Sequence, residues 1–180
     1  FDGPVGVRGL YPAVPAMGGR KKLNKGEPVI VDIVGGYAGY IADGTRVYSI
    51  GPLPVAIAEA HRFLLDLNLW IETQLRPGTI PGELYKQILN RVAKTPHAAN
   101  FMGAGSNQVR FVAHGVGLEL DEFPVVAPGF DAPIEAGVVF AVEPKVFFPG
   151  VGGVGIENTY VITDSAPERL TQCSQDIFVV

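Results

Sequence analysis

Four acidic residues interrupt the most apolar strand-like segments of this 180-residue sequence. Asp and Glu are disfavoured in strands and are almost never fully buried unless something compensates their charge. The four residues are Asp32, Asp43, Glu143 and Glu157. Each lies in a β-type run next to a glycine-containing turn, so the sequence predicts two hairpins that carry two acids each.

In both predicted hairpins the two acids face one another. Folding the first hairpin about Tyr37 and Ala38 places Asp32 opposite Asp43, and folding the second about Gly150 places Glu143 opposite Glu157. Directly opposed residues have Cβ atoms about 4.5 to 5.5 Å apart. At about 5 Å and an effective dielectric of about 20, two carboxylates repel by roughly 3 kcal/mol. Either one acid of each pair keeps a proton, or divalent cations lie between them.

His114 favours the second explanation. It lies in an apolar segment just before Gly115 and Gly117, and a neutral imidazole is a common ligand of transition metals. Four carboxylates and one imidazole form a mainly oxygen ligand set, which suits two divalent ions such as Mn, Co, Fe or Zn in a hydrolytic site. Taken singly, each of the five residues also has an ordinary structural explanation, as an edge-strand acid, a cap or a core histidine.

Composition excludes several other functions. The chain has 14 Lys+Arg against 18 Asp+Glu and a formal net charge of −4, so neither nucleic acid nor an anionic membrane surface is an expected partner. Cys173 is the single cysteine and cannot form an internal disulfide or a multi-thiolate metal site. No signal peptide or membrane span is visible in the sequence, and these features together predict a cytoplasmic protein.

Periodicity predicts one α+β domain over residues 1–180. Residues 1–27 are rich in Gly and Pro and are predicted to form a loop. Apolar positions recurring at steps of three and four predict a helix from Pro54 to Leu75, and Thr79 is a candidate cap for a second helix that contains Leu84 and Val92. Strands are predicted at 28–34, 40–48, 109–117, 138–143, 155–163 and 177–180.

The segments around the five candidate ligands resemble the pita-bread metallopeptidases, the family of methionine aminopeptidase, aminopeptidase P, prolidase and creatinase. The resemblance is carried, in the family's order, by Val31–Ile33, Gly39–Arg46, Ala113–Leu118, Phe140–Pro144 and Gly155–Thr159. The segment Tyr40–Arg46 and the helix stop Arg76-Pro77-Gly78 are more similar to the Xaa-Pro peptidases and creatinase than to methionine aminopeptidase.

This resemblance implies an α+β pita-bread fold and a metallopeptidase that cleaves Xaa-Pro bonds with a metal-bound hydroxide as nucleophile. It implies that Asp32 binds a first metal ion, that His114 and Glu143 bind a second, and that Asp43 and Glu157 bridge the two. It also makes Glu143 a candidate for handling the proton of the attacking water. A small peptide is the implied partner, and a homodimer is compatible with the resemblance.

The sequence departs from the family pattern in three places. Residues 1–31 contain no histidine, and Asp121 stands where the family has a second histidine, seven residues after His114; Asp121 is therefore the predicted substrate-binding residue. Residues 1–27 cannot supply the N-terminal helices of the first half of the fold, so we expect the chain to be the C-terminal portion of a longer enzyme. Two alternatives stay open: a metallohydrolase acting on a small non-peptide C–N substrate, and a catalytically silent binding module.

Overall fold

A computed structural model describes residues 22–180. Most of the predicted N-terminal loop, residues 1–21, lies outside the described residues. The strands are β1 Pro28–Tyr37, β2 Tyr40–Ser49, β3 Ala113–Gly115, β4 Glu122–Val126, β5 Val139–Val142, β6 Lys145–Phe148, β7 Gly152–Gly155, β8 Asn158–Val161, β9 Glu168–Arg169 and β10 Phe178–Val179, and the helices are α1 Val55–Gln74 and α2 Pro81–Val92. The predicted α+β class is confirmed.

The first hairpin, β1 and β2, forms with a different register from the predicted one. Asp32 pairs with Thr45, and Val34 pairs with Asp43. The two-residue turn consists of Ala38 and Gly39, which have φ angles of 50° and 87°, as a type I′ hairpin turn requires. The predicted direct opposition of Asp32 and Asp43 is therefore wrong. Because the register differs by two positions, both acids stay on the same face as diagonal neighbours.

The second hairpin has the predicted register on both sides of its glutamates. Val142 pairs with Asn158 in the five-stranded sheet β4-β3-β5-β8-β9, and Lys145 pairs with Gly155 in the separate ribbon β6-β7. Glu143 and Glu157 lie at the break between these two ladders. The strand predicted at 155–163 thus contains only the last residue of β7 and all of β8, which lie in different sheets, and β4, β6 and β9 are strands that were not predicted.

Helix α1 confirms the helix predicted from Pro54 to Leu75, since Pro54 precedes its first residue and Leu75 follows its last. Its buried face includes Leu64 and Ile71. Asn68 on the same face donates a hydrogen bond to the Val142 carbonyl at 3.1 Å, which ties α1 to the sheet. Among residues 22–180, no helix combines the length and apolar composition needed to cross a membrane.

Helix α2 begins at Pro81, with Ile80 rather than Thr79 at the N-cap position. The predicted capping role of Thr79 is wrong. Its hydroxyl instead donates to the Gln74 carbonyl at 2.8 Å, and so satisfies one of the carbonyls left free at the end of α1.

His61 on α1 makes a prediction about stability and pH. It is 3% exposed, its Nε2 lies 3.0 Å from the Gln175 carbonyl, and its Nδ1 has no hydrogen-bond partner among the described residues. Burial lowers its pKa below the ordinary 6.5. Below about pH 6.5, His61 is therefore protonated in the unfolded chain but stays neutral in the folded chain. The free energy of unfolding falls as the pH drops through that value.

We expect His61→Gln, which keeps a donor towards Gln175, to remove this pH dependence. The free energy of unfolding of the unsubstituted protein should fall relative to that of the variant by about 1 kcal/mol between pH 7.5 and 5.5, within the limit of about 1.4 kcal/mol per pH unit for one proton. Urea titrations at the two pH values measure the difference. A constant difference between the two proteins would show that His61 is not held neutral.

Candidate metal centre

Asp43 is fixed at the site by its own backbone. Its N–H donates to the Thr159 hydroxyl at 2.9 Å, and that hydroxyl donates back to the Asp43 carbonyl at 2.8 Å. The Gly44 N–H donates to Asp43 Oδ1 at 2.8 Å. These bonds join β2 to β8 and hold the Asp43 carboxylate in place beside the other candidate ligands.

His114 lies on the buried strand β3, between β4 and β5. Its Nδ1 donates to the Gly115 carbonyl at 2.9 Å, and its Nε2 lies 3.4 Å from Glu143 Oε1. A Cβ at Gly115 would come within 2.7 Å of the Glu122 carbonyl oxygen, so glycine is required for β4 to approach this closely. The hydrogen bond from Nδ1 makes Nε2 the atom available as a ligand.

Asp121 lies behind His114, on the side away from Glu143. Its Oδ1 is 3.6 Å from His114 Nδ1, and its side chain is 43% exposed. The sequence places Asp121 near substrate, and the structure places it beside a candidate metal ligand with about half of its surface open to solvent. It can therefore orient the imidazole as well as accept a hydrogen bond from a bound molecule.

The break between the two β ladders directs both glutamates towards the site. The Glu143 N–H donates to the Val112 carbonyl at 2.9 Å, and the Glu157 N–H donates to the Thr45 carbonyl at 3.3 Å. The Thr45 hydroxyl donates to Glu157 Oε2 at 2.6 Å. Glu157, at 1% exposed, is thus held from two directions by β2.

Lys145 is a member of the site that the sequence analysis missed. Its ammonium lies 3.3 Å from Asp32 Oδ2 and 3.6 Å from Glu157 Oε2, and it donates a short hydrogen bond to Glu143 Oε2. The side chain is almost fully buried. A signal was present in the sequence, because Lys145 follows Glu143 by two positions in an apolar segment, and residues two apart on a strand share a face.

The carboxylates do not share one charge state. Burial raises the pKa of Glu157 to about 8, with Lys145 opposing and the neighbouring carboxylates of Glu143 and Asp32 adding to the rise. Burial and the charge of Asp32 raise the pKa of Asp43 to about 6. Both groups therefore hold a proton at pH values where an exposed carboxyl is ionised, as expected when like charges are crowded together without a bound cation.

The partners of these acids are cationic. Burial opposes ionisation of Glu143, but Lys145 and His114 hold its pKa below the ordinary value. Burial also opposes protonation of His114, but its contacts with Glu143, the Gly115 carbonyl and Asp121 raise its pKa to about 9. Burial likewise opposes the charge on Lys145, and three carboxylates more than offset it, so its pKa is raised.

All five predicted ligands lie in one cluster, and three of them could hold a metal ion together. Ligand atoms of Asp43, His114 and Glu157 lie within 4.8 Å of one another, and all three residues are buried. One imidazole and two carboxylates form a donor set that suits a borderline divalent ion, and three protein ligands leave a position open. Asp32 and Glu143 are adjacent, and both contact Lys145.

Arg46 supports the cluster from outside. Its guanidinium donates to the carbonyls of Thr45 and Glu157 at 2.8 and 2.6 Å, and to Asn158 Oδ1 at 2.9 Å. It also donates to the Ser174 carbonyl at 2.7 Å. These bonds fix the backbone of Thr45 and of Glu157, whose side chains are hydrogen-bonded to each other. Arg46 is therefore a positioning residue for Glu157.

One imidazole and four carboxylates thus come together on antiparallel strands and at the breaks between them, and this donor set suits divalent metal ions. The sequence model of metallopeptidase family M24 matches residues 5–164. The match covers most of the chain and includes every candidate ligand. The chain belongs to metallopeptidase family M24.

Two curated relatives show what this chain is similar to. It is 30% identical over 161 residues to the probable dipeptidase PepE of Mycobacterium tuberculosis, an alignment that covers 89% of this chain and 41% of PepE. It is 28% identical over 157 residues to the Xaa-Pro dipeptidase of Pyrococcus furiosus, which covers 87% of this chain and 43% of that enzyme. The chain thus spans about two fifths of the length of these relatives.

A solved structure agrees with the sequence match. The crystal structure of dipeptidase PepE from Mycobacterium ulcerans superposes with a TM-score of 0.82 at 31% identity, over 93% of this chain and 44% of that one. The α+β pita-bread fold predicted from the sequence is confirmed.

Proposed function

We propose that the chain carries the metal-binding half of a divalent-metal-dependent hydrolase that cleaves Xaa-Pro bonds in small peptides, as an aminopeptidase P or a prolidase does. The observation that carries the proposal is the convergence of Asp43, His114 and Glu157 on one point of an M24 fold. The similarity to a probable dipeptidase and to an Xaa-Pro dipeptidase supports the substrate class.

The proposed metal ligands are Asp32, Asp43, His114, Glu143 and Glu157. The candidate ions are Mn, Co, Fe and Zn. A divalent ion supplies Lewis acidity when bound and lowers the pKa of water. The sequence predicts two ions, and that number stays a prediction. Without an ion, the raised pKa of about 8 keeps Glu157 largely protonated at neutral pH, and the pKa of about 6 keeps Asp43 protonated at lower pH, so ion binding at these pH values would displace protons.

Glu143 is the proposed proton acceptor for the attacking water. It is buried, and Lys145 and His114 keep its pKa below the ordinary value, so its carboxylate is ionised at neutral pH and free to accept a proton. Lys145 holds Glu143 Oε2 through a hydrogen bond, which leaves Oε1 facing His114. The contact with Lys145 orients Glu143 and limits how basic it becomes.

Asp121 is the proposed substrate-binding residue. Its half-exposed carboxylate beside His114 can accept a hydrogen bond from the amino or amide group of a small substrate. The same observation favours the alternative of a small non-peptide C–N substrate, because a carboxylate accepts hydrogen bonds where the family's histidine could donate one. A panel of substrates separates these two functions.

The test is hydrolysis of Xaa-Pro dipeptides and longer Xaa-Pro peptides by the protein at its full natural length, after chelation and after addition of Mn²⁺, Co²⁺ or Zn²⁺. We expect turnover that requires metal and a proline after the scissile bond. Metal-dependent turnover of a non-proline C–N substrate alone would favour the alternative. Metal binding without hydrolysis of any substrate would instead indicate a binding module.

We expect Asp121→Asn to raise the KM for the preferred peptide by about tenfold, since one hydrogen bond to a charged group contributes about 1.5 to 3 kcal/mol. Metal affinity should change less, because Asn keeps an oxygen near His114. The matched control is Asp131→Asn, which alters an exposed acid outside the cluster. Unchanged KM in Asp121→Asn would remove this residue from the substrate site.

We propose that the protein is cytoplasmic, as its single cysteine suggests.

We also propose that the protein forms a homodimer. The exposed apolar side chains at the tip of the β1-β2 hairpin, including Tyr37 and Tyr40, form a surface that a second copy could cover. Light scattering coupled to size-exclusion chromatography measures the assembly, and a monomeric mass at micromolar concentration would contradict the dimer.

A further inference from the structure

Lys145 occupies a point that a metal ion would otherwise take. Its ammonium is in contact with Asp32, Glu143 and Glu157 together, three of the four acids in the cluster. A divalent ion bound to the same carboxylate oxygens would lie about 2.0 to 2.2 Å from each of them. An ion among these oxygens would lie against the ammonium that already contacts all three of them, so the ion and this placement of Lys145 exclude one another.

The backbone and stem of Lys145 are held as firmly as its ammonium. The Met102 N–H donates to the Lys145 carbonyl at 2.9 Å, and the Lys145 N–H is 3.3 Å from Met102 Sδ. On the opposite strand, a Cβ at Gly155 would lie 2.5 Å from Lys145 Cγ. The absence of a side chain at Gly155 therefore creates the channel through which the lysine stem reaches the acids.

Two groups of residues divide the cluster. Asp32 and Glu143 contact the Lys145 ammonium. Asp43 and His114 make no ion pair or hydrogen bond with Lys145 in the described residues, and they are part of the group that could hold an ion. Glu157 is shared by both groups. A carboxylate with two oxygens can accept from an ammonium with one and bind an ion with the other.

We propose that the Lys145 ammonium takes the place of the metal ion that Asp32 would bind, and that the protein holds one divalent ion, at Asp43, His114 and Glu157. The inference rests on the proposed function for the presence of an ion but differs from it in the number. One ammonium and one divalent ion offset most of the charge of four carboxylates. A second ion at Asp32 and Glu143 would have to compete with the ammonium for Asp32 Oδ2 and Glu143 Oε2, which the ammonium already contacts.

The experiment counts bound ions in the protein at its full natural length. Metal-free protein is titrated with Mn²⁺, the count is read by calorimetry and by elemental analysis after dialysis, and electron paramagnetic resonance distinguishes an isolated Mn²⁺ from a coupled pair. We expect about one ion per chain in the unsubstituted protein and about two in Lys145→Ala. Lys94→Met, which changes an exposed lysine outside the cluster, should leave the count at one.

A second variant tests the division of the cluster without altering Lys145. Because Asp32 serves the ammonium, Asp32→Asn should keep about one Mn²⁺ per chain with an affinity within about tenfold of the original. Two ions in the unsubstituted protein, one ion in Lys145→Ala, or none in Asp32→Asn would each overturn the inference. The first two of these results leave the proposed hydrolase intact, whereas no ion in any of the proteins would overturn both.

Discussion

His114→Ala is expected to lower the affinity for a divalent ion by more than about 100-fold. Loss of an outer partner of a metal ligand typically costs 10 to 100-fold in affinity, and this substitution removes the only nitrogen ligand of the group it forms with Asp43 and Glu157. It also exposes the neighbouring Glu143 carboxylate to an empty space where the imidazole was. Calorimetric titration with Mn²⁺ measures the affinity, and metal-dependent peptide hydrolysis should fall with it.

His97→Ala is the matched control for this substitution. His97 is half-buried and packs against Phe63, with ring centroids 5.2 Å apart, and it makes no contact with the acidic cluster. Its replacement should leave metal affinity and hydrolysis within about twofold, because surface changes away from a site usually have small effects. Metal affinity within tenfold of the original in His114→Ala would remove this histidine from the ligand set.

The convergence of the candidate residues could be predicted because the chemistry of most of them conflicts with their surroundings. Asp43, Glu143 and Glu157 are acids in segments whose other residues are buried in a core, and such placement needs a compensating cation or proton. The strand register of the second hairpin could also be predicted from the sequence, since its strands are symmetric about Gly150. The roles of individual ligands came only from the family resemblance and stay predictions.

The register of the first hairpin differs from the predicted one because the turn is centred on Ala38 and Gly39 rather than on Tyr37 and Ala38. Ala38 adopts a positive φ, which a non-glycine residue rarely does, so residue type alone does not indicate a turn centred on Ala38 and Gly39. The error preserved the face of every side chain, because strand side chains alternate with a period of two. The prediction that Asp32 and Asp43 share a face is therefore correct, and the prediction that they oppose one another directly is wrong.

Lys145 was missed for a different reason. The segment after Glu143 contains Pro144, Pro149 and Gly150, and these residues favour a turn over a strand. In the structure Pro144 occupies the break between two sheets, and β6 begins directly after it. Which buried cation compensates a set of acids depends on contacts across the sheet, and those contacts are not a local property of the sequence.

Arg46→Met is expected to destabilise the fold by about 3 to 5 kcal/mol, a large part of the 5 to 15 kcal/mol typical of a domain. Methionine keeps an apolar stem but donates no hydrogen bond. The substitution removes the guanidinium donor from the buried carbonyls of Thr45 and Glu157 and from the exposed Ser174 carbonyl; the two buried hydrogen bonds, each to a charged group, contribute about 1.5 to 3 kcal/mol apiece.

Arg46→Lys should lose an intermediate amount of stability, because an ammonium cannot reproduce the planar fork that reaches five acceptors on β2, next to and on β8, and in the C-terminal segment. Guanidinium chloride unfolding monitored by the single Trp70 measures both variants, with Arg62→Met on the exposed face of α1 as the control. The order of stability, from highest to lowest, should be Arg62→Met, Arg46→Lys, Arg46→Met.

Since Arg46 fixes the backbone of Glu157, Arg46→Lys should also bind Mn²⁺ more weakly under conditions where it is fully folded. A loss below 1 kcal/mol in Arg46→Met would mean that water or a rearranged C-terminal segment satisfies these carbonyls in its place.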